Sequence, residues 1–200
     1  IYVIDLKSKE VTNITNDIFS ESSPSWSTNG EVIYFASDRG QNTSTESMYD
    51  VDFSQTDIFQ YSYQTNKISQ LTNTDYNENY PVAGSNGNLF YTADYNGITN
   101  IFKHNLSSNE AFPITNVITG VQQIDLDSSN NLVFSGFKNR GWDLYLMNNL
   151  NNVAEKEIKP TKFYTNKNRS TDFEDLRTFT SKKVTLSPED YSKYIFARNY

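Results

Sequence analysis

Short apolar runs alternate with polar turns along the first four-fifths of the chain. The run Ile33–Phe35 lies between an Asn-Gly pair at 29–30 and the polar sequence 37–40, and runs 89–91 and 132–134 have the same setting 43 positions apart. Such runs between turn residues predict β-strands, because Asn and Gly adopt the backbone conformations of tight hairpins. Helix-period stripes are missing from this region. The pattern therefore predicts an all-β fold.

The predicted strands recur with a fixed period. The triplets Asp57–Phe59, Asn100–Phe102 and Asp143–Tyr145 are 43 positions apart, as are Leu71–Asn73 and Ile114–Asn116. A shared spacing for two separate signals indicates an internal repeat.

One repeat is longer than the others. Pro24 precedes Pro81 by 57 positions, and the triplet 14–16 precedes 71–73 by the same distance. The additional residues fall in Gln41–Gln55, which is polar and acidic with interleaved apolar side chains. One loop has been lengthened and the unit itself is unchanged.

A unit of this length built from short strands is typical of a propeller blade. The sequence predicts a β-propeller of four-stranded antiparallel blades over residues 1–160, with about three and a half blades present. Such a number cannot close a ring without exposed strand edges. We therefore expect a segment of a longer protein, or missing blades supplied from elsewhere. The predicted blades span residues 1–16, 23–73, 80–116 and 121–158.

The repeat resembles the WD-like repeat of TolB-type β-propellers. Later copies depart from the pattern, since Trp26 is replaced by Ala83 and then by Leu126. The resemblance covers roughly residues 1–160 and implies the propeller fold. The residues that carry it are Pro24, Trp26, Ser27, Gly30, Ile33–Phe35, Ser37–Arg39, Asp57–Phe59 and Leu71–Thr72.

Several repeat residues are expected to have structural roles. Trp26 and its replacements should fill the core between neighbouring blades. The Asp38 carboxylate should accept backbone N–H groups at a hairpin end, and the Arg39 guanidinium should connect to the adjacent blade. The other repeat positions that we assign to structure are Asp57, Asp94, Trp142 and Asp143.

Composition excludes some functions. A net charge of −7 and a pI near 4.7, without a long basic run, argue against nucleic-acid binding. No stretch is apolar for long enough to form a membrane helix, so a membrane would be reached only through an attached domain or complex. The chain has no cysteine and therefore no disulfide framework.

Candidate chemistry is sparse. His104 is the single histidine, so a His-based triad or a two-histidine metal site is not formed, and we expect it at the surface or facing a turn. The acidic segment 125–131 departs from a calcium loop and occupies a turn position of the repeat, so it is read as a hairpin turn. No catalytic residue, cofactor or metal site is predicted.

The lengthened loop is the strongest local departure from the repeat. Loops that interrupt a regular scaffold often carry recognition, and aromatic side chains among polar ones suit a protein contact. A solvent-facing hairpin that extends the blade is the alternative. The contact candidates are Met48, Tyr49, Asp50, Asp52 and Phe53.

Residues 161–200 lack the repeat. Ser187 followed by Pro188 is typical of a helix start. One apolar face would be made by Leu186, Tyr191, Tyr194 and Ile195. The segment is predicted to be a linker with one short helix, with a final strand as the alternative.

The resemblance implies a function as well as a fold. Propellers of this family are non-catalytic platforms of the bacterial cell envelope, so we expect a periplasmic or envelope-associated scaffold that binds a protein or peptide. Two alternatives stay open. The first alternative is the accessory propeller of a larger hydrolase or peptidase, and the second is a carbohydrate-binding propeller.

Overall fold

The computed structural model describes residues 1–40, 53–162 and 165, and divides the chain into units 1–161 and 162–200. The first unit consists of four antiparallel sheets. The first sheet contains β1 (Tyr2–Ile4) and β2 (Val11–Asn13); the second, β3 (Glu21–Trp26), β4 (Val32–Ser37), β5 (Asp57–Ser62) and β6 (Lys67–Gln70); the third, β7 (Glu78–Ala83), β8 (Asn88–Ala93), β9 (Asn100–Asn105) and β10 (Glu110–Pro113); the fourth, β11 (Val121–Leu126), β12 (Leu132–Lys138) and β13 (Gly141–Met147).

Within each sheet the strands follow in chain order, each hydrogen-bonded to its sequence neighbour. This is the arrangement of propeller blades, and the predicted all-β fold and partial propeller are confirmed. The strand pairing also fixes which residues are equivalent between blades. Pairs at the same position of the first two strands are Glu21 with Ser37, Glu78 with Ala93, and Val121 with Gly136.

The first strand of each of these three blades carries a bulge at the same place. Ser23, Tyr80 and Gln123 have φ of 53°, 52° and 52°, where the strand shifts register against its neighbour. Non-glycine residues seldom adopt positive φ, so a threefold recurrence marks a built feature of the innermost strand.

The core lies between the sheets. β7 packs against β3, β4 and β5 of the preceding blade, and β11 packs against β7 and β8. Buried apolar side chains fill each gap, as Tyr34, Leu89 and Tyr91 do between the second and third sheets. Burial of these side chains between neighbours, at about 25 cal/mol per Å² of apolar surface, holds the blades together.

The fourth sheet differs from the predicted four-stranded blade. It has three strands among the described residues, followed by a short 3-10 helix at Leu150–Asn152. The chain then returns to the third sheet, where the Lys156 N–H donates to the Pro113 carbonyl and Ile158 joins the core between the second and third sheets. Residues 153–158 lack the alternation of apolar and polar side chains that is typical of a strand, and the apolar side chain of Ile158 is used in this core instead. The helix predicted near Ser187 lies outside the described residues.

The prediction that Trp26 fills a core between blades is wrong. Its side chain is 49% exposed and stacks on Tyr63, with ring centroids 5.5 Å apart. In the next blade, β7 is covered by β3 and β4 of the blade before it. The first sheet has only β1 and β2 among the described residues, so β3 lacks the equivalent cover. Trp26 therefore has the predicted repeat position, but among the described residues no strands cover it.

A threonine ends the repeat in the second and in the third sheet. The Thr72 hydroxyl accepts the Ile58 N–H at 2.8 Å, and the Thr115 hydroxyl accepts the Ile101 N–H at 2.9 Å. Both hydroxyls are buried. The recurrent Leu-Thr-Asn and Ile-Thr-Asn triplets therefore satisfy a backbone donor that would otherwise be buried and unpaired.

Thr115→Val should lower the free energy of unfolding by about 1–3 kcal/mol, because it leaves the buried Ile101 N–H without an acceptor. Thr65→Val, at an exposed turn position, should change it by less than about 0.5 kcal/mol. Urea denaturation of both variants measures the difference. Equal costs at the two positions would contradict the assigned role.

Candidate functional site: the loop end of the blades

The linkers between blades and the connections after β4, β8 and β12 meet at one end of the sheets, which we call the loop end. At this end the Asp38 carboxylate accepts the Ser20 N–H, and the Asp94 carboxylate accepts the Asn77 N–H, both at 2.8 Å. Asp38 and Asp94 thus hold the incoming linker against the hairpin of the same blade. This is the backbone-accepting role that the sequence predicts for Asp38.

Asp57 has a similar role one strand further on. Its carboxylate accepts the Thr74 N–H at 3.2 Å and the Gln70 side-chain amide at 3.0 Å. Burial raises the pKa of Asp57, and these two hydrogen bonds oppose the shift. The equivalent Asp143 is exposed on the fourth sheet, as is its neighbour Trp142, which contacts Phe137 edge-on.

Arg39 is the most enclosed cation described at the loop end, with 5% of its surface exposed. Its guanidinium lies 3.0 Å from the Asp17 carboxylate and 2.5 Å from the Glu21 carboxylate. Three phenylalanine rings surround the same group at 5.3–5.6 Å, a distance at which cations are attracted to aromatic faces. Arg39 therefore fixes the linker through Asp17 and the innermost strand of its own blade through Glu21, so the predicted connection to the adjacent blade is wrong. The three rings are Phe19, Phe35 and Phe59.

The third sheet repeats this aromatic cage with a different occupant. Tyr95 stands at the position equivalent to Arg39, with its ring 5.3 Å from Tyr76 and 6.4 Å from Phe102. The cage is completed by Tyr91, which stacks on Phe102 at 5.8 Å. A neutral ring thus replaces a guanidinium in otherwise similar surroundings.

Glu78 has lost its cation through this replacement. It is equivalent to Glu21 but is fully buried beside the hydroxyl of Thr72, and its second carboxylate oxygen has no hydrogen-bond partner. Burial raises the pKa of Glu78 to about 8, with a smaller contribution from the charge of Asp57. Burial also raises the pKa of the neighbouring Tyr76 to about 12. Glu78 is therefore protonated at neutral pH. Glu78 was not singled out from the sequence, although its spacing of 57 positions from Glu21 marks the two residues as equivalent.

Of the predicted contact candidates, only Phe53 lies among the described residues. Its side chain is 45% exposed and lies 6.4 Å from the ring of buried Phe19, which in turn supports Arg39. Met48, Tyr49, Asp50 and Asp52 lie outside the described residues. The described end of the lengthened loop therefore lies beside the Arg39 cage.

Two other sequence predictions concern polar residues. His104 is 2% exposed, so of the two expected settings the surface one is wrong and the turn-facing one is observed: its Nε2 lies 3.0 Å from the Asn109 side-chain oxygen in the following turn. Asp127 accepts the N–H groups of Ser129 and Asn131, and these bonds lower its pKa. Segment 125–131 is the predicted hairpin turn.

In the described part of the chain, no three His, Asp or Glu side chains are grouped closely enough to hold a metal ion. The same residues contain no helix with the length and apolarity needed to cross a membrane.

The repeated blades and their inter-blade cores define the class of this chain as a partial β-propeller. No family model and no curated protein sequence matches it. Solved structures do.

The chain is similar to TolB of Acinetobacter baumannii, at 16% identity and a TM-score of 0.56 over 80% of this chain and 37% of that one. A putative TolB of Agrobacterium tumefaciens gives 13% identity and a TM-score of 0.54 over 67% and 47%. Hydrazine synthase of Kuenenia stuttgartiensis gives 13% identity and a TM-score of 0.55 over 72% of this chain and 26% of that one.

The TM-scores show a shared fold, and at these identities the likeness is one of fold alone. The chain spans less than half the length of each of these proteins. The predicted resemblance to TolB-type propellers is confirmed at the level of the fold.

Proposed function

We propose that this chain is part of a non-catalytic propeller that binds a protein or peptide partner at its loop end. The observation that carries the proposal is the position of Phe53, a half-exposed ring supported by Phe19 and the Arg39 cage. A rigid base lowers the entropy lost when a contact residue is immobilised, and exposed aromatic side chains on such bases are frequent binding hot spots.

A cell-envelope location is part of the same proposal. It is supported by the structural likeness to two TolB propellers, and that likeness is one of fold alone. The fold does not by itself exclude an enzyme, since hydrazine synthase shares it. An accessory role in a larger hydrolase or peptidase, and carbohydrate binding, are the alternatives.

The test is capture from a bacterial envelope extract by the chain immobilised through its N-terminus. We expect Phe53→Ser to weaken capture of the main bound protein at least tenfold, because it removes the exposed anchor. Deletion of residues 41–52 should have an effect of similar size. Quantitative mass spectrometry measures the captured amounts.

Tyr2→Ser is the control, because Tyr2 is an aromatic ring on the first sheet that is more accessible than Phe53, at 72% exposed. It should leave capture unchanged. If Phe53→Ser and the loop deletion both retain full capture, the proposed contact surface is wrong. If the bound material is glycan, the carbohydrate alternative replaces it.

A further inference from the structure

An open cavity of about 480 Å³ lies at the loop end of the fourth sheet. Its walls come from the linker before β11 and from the β12–β13 hairpin, and are mostly apolar. Ile118 stands at the rim and is 89% exposed. The principal lining side chains are Val117, Ile118, Phe134, Phe137 and Tyr145.

This cavity is the third copy of the aromatic cage. In each of the three blades, two aromatic residues directly opposite each other on the second and third strands stack their rings. The rings are parallel within 23°, with centroids 5.5–6.1 Å apart. The stacked pairs are Phe35–Phe59, Tyr91–Phe102 and Phe134–Tyr145.

The first two cages are filled and the third is open. Arg39 fills the first cage and Tyr95, although 40% exposed, packs against the rings of the second, whereas the equivalent Lys138 lies in the wall of the open cavity with its side chain exposed to solvent. The third ring of each cage is lost too, because Thr119 stands where the other blades have Phe19 and Tyr76. The two missing side chains account for the space in the third cage.

The charge of the third cage shows what kind of group it accepts. In the first cage the guanidinium of Arg39 is paired with Asp17 and Glu21. The equivalent positions in the third cage are Val117 and Val121, which are uncharged. A cation brought there would be desolvated without a partner, which is unfavourable, whereas a neutral ring would bury apolar surface.

We propose that this cavity, lined by the stacked rings of Phe134 and Tyr145, binds an aromatic side chain of a protein or peptide partner. The second cage demonstrates the fit, since Tyr95 packs against the equivalent ring Phe102. The incoming ring would pack in the same place and edge-on, as Tyr95 does, entering from the open side past Ile118. This inference names a second contact of the proposed scaffold and involves no residue of the 41–55 loop.

The test uses p-cresol, which reproduces a tyrosine side chain, and methylguanidinium, which reproduces an arginine head group. Each is titrated into the full chain while methyl resonances of Val117, Ile118 and Val121 are followed by NMR. We expect saturable shifts with p-cresol in the millimolar range and none with methylguanidinium.

Thr119→Tyr rebuilds the missing ring and should weaken p-cresol binding at least tenfold. Thr65→Tyr, a matched change at an exposed turn, should leave it unchanged. Val117→Asp restores the carboxylate equivalent to Asp17, and should weaken p-cresol binding while giving methylguanidinium a measurable affinity. This second variant does not depend on how the new tyrosine packs.

Equal affinity for the two probes would overturn the proposal, as would p-cresol binding to Thr119→Tyr within threefold of the parent. Shifts that saturate only at residues outside the cavity would overturn it as well. These outcomes are separate from those for Phe53: loss of the loop contact leaves p-cresol binding unchanged, and an unoccupied cavity leaves capture through Phe53 unchanged.

Discussion

Arg39→Met should lower the free energy of unfolding by about 3–5 kcal/mol, the largest single effect that we expect in this chain. Methionine keeps most of the side-chain volume against the three phenylalanine rings. It leaves the largely buried Asp17 carboxylate without its cation and leaves Glu21 with only the Ile1 α-ammonium, 3.4 Å away, and a largely buried charge without a close partner is costly. Urea denaturation at pH 7, followed by circular dichroism, measures the change.

Arg140→Met is the matched control, since Arg140 is exposed in the β12–β13 turn, and it should change stability by less than about 0.5 kcal/mol. A second check neutralises the carboxylates together with the cation. Asp17→Asn and Glu21→Gln added to Arg39→Met should recover much of the loss. A cost for Arg39→Met no greater than that of Arg140→Met would show that the cage does not hold this blade together.

The second large effect concerns pH. Burial raises the pKa of Glu78 from its ordinary value of 4.5 to about 8, so the folded chain retains a proton that the unfolded chain releases. The stabilisation is fully present below pH 4.5 and is lost as pH rises toward 8. For one proton the free energy of unfolding should fall by about 1.4 kcal/mol per pH unit between these values.

Glu78→Gln removes this titration, so the difference in stability between parent and variant should change with pH by that slope. Urea denaturation at pH 5.5, 6.5 and 7.5 measures it. Glu110→Gln, at an exposed position, should run parallel to the parent. A parent and a Glu78→Gln variant with parallel pH profiles would mean that Glu78 is ionised in the folded chain.

The repeat made most of the fold predictable from sequence. Strand positions follow from periodic signals such as Asp57–Phe59 and Leu71–Asn73, which depend on local turns and on alternation. The backbone-accepting role of Asp38 was predictable for the same reason, because its partner lies in the linker of its own blade. Short-range geometry is what a regular pattern encodes.

Features that depend on contacts between strands far apart in sequence were harder to predict. Trp26 has the expected position but no covering strands among the described residues, and His104 is buried beside Tyr91 on the neighbouring strand of its own sheet. The cages needed the strand register, since their walls come from a linker and two strands of one blade. Only the alignment of Arg39 with Tyr95 and Lys138 shows that one cage is open.

The most direct test of the blade arrangement is a cross-link between neighbouring innermost strands. The Ser23 hydroxyl lies 2.9 Å from the Asn79 side-chain oxygen, across 56 positions of sequence. The chain has no cysteine, so Ser23→Cys with Asn79→Cys supplies the only two thiols. A short bismaleimide should join the two thiols within the folded monomer, and peptide mass spectrometry detects the product. The reaction should be far faster than the same reaction in urea, and far faster than in the control variant Ser23→Cys with Arg140→Cys. Equal rates for the two pairs in the folded chain would contradict adjacent, radially stacked blades.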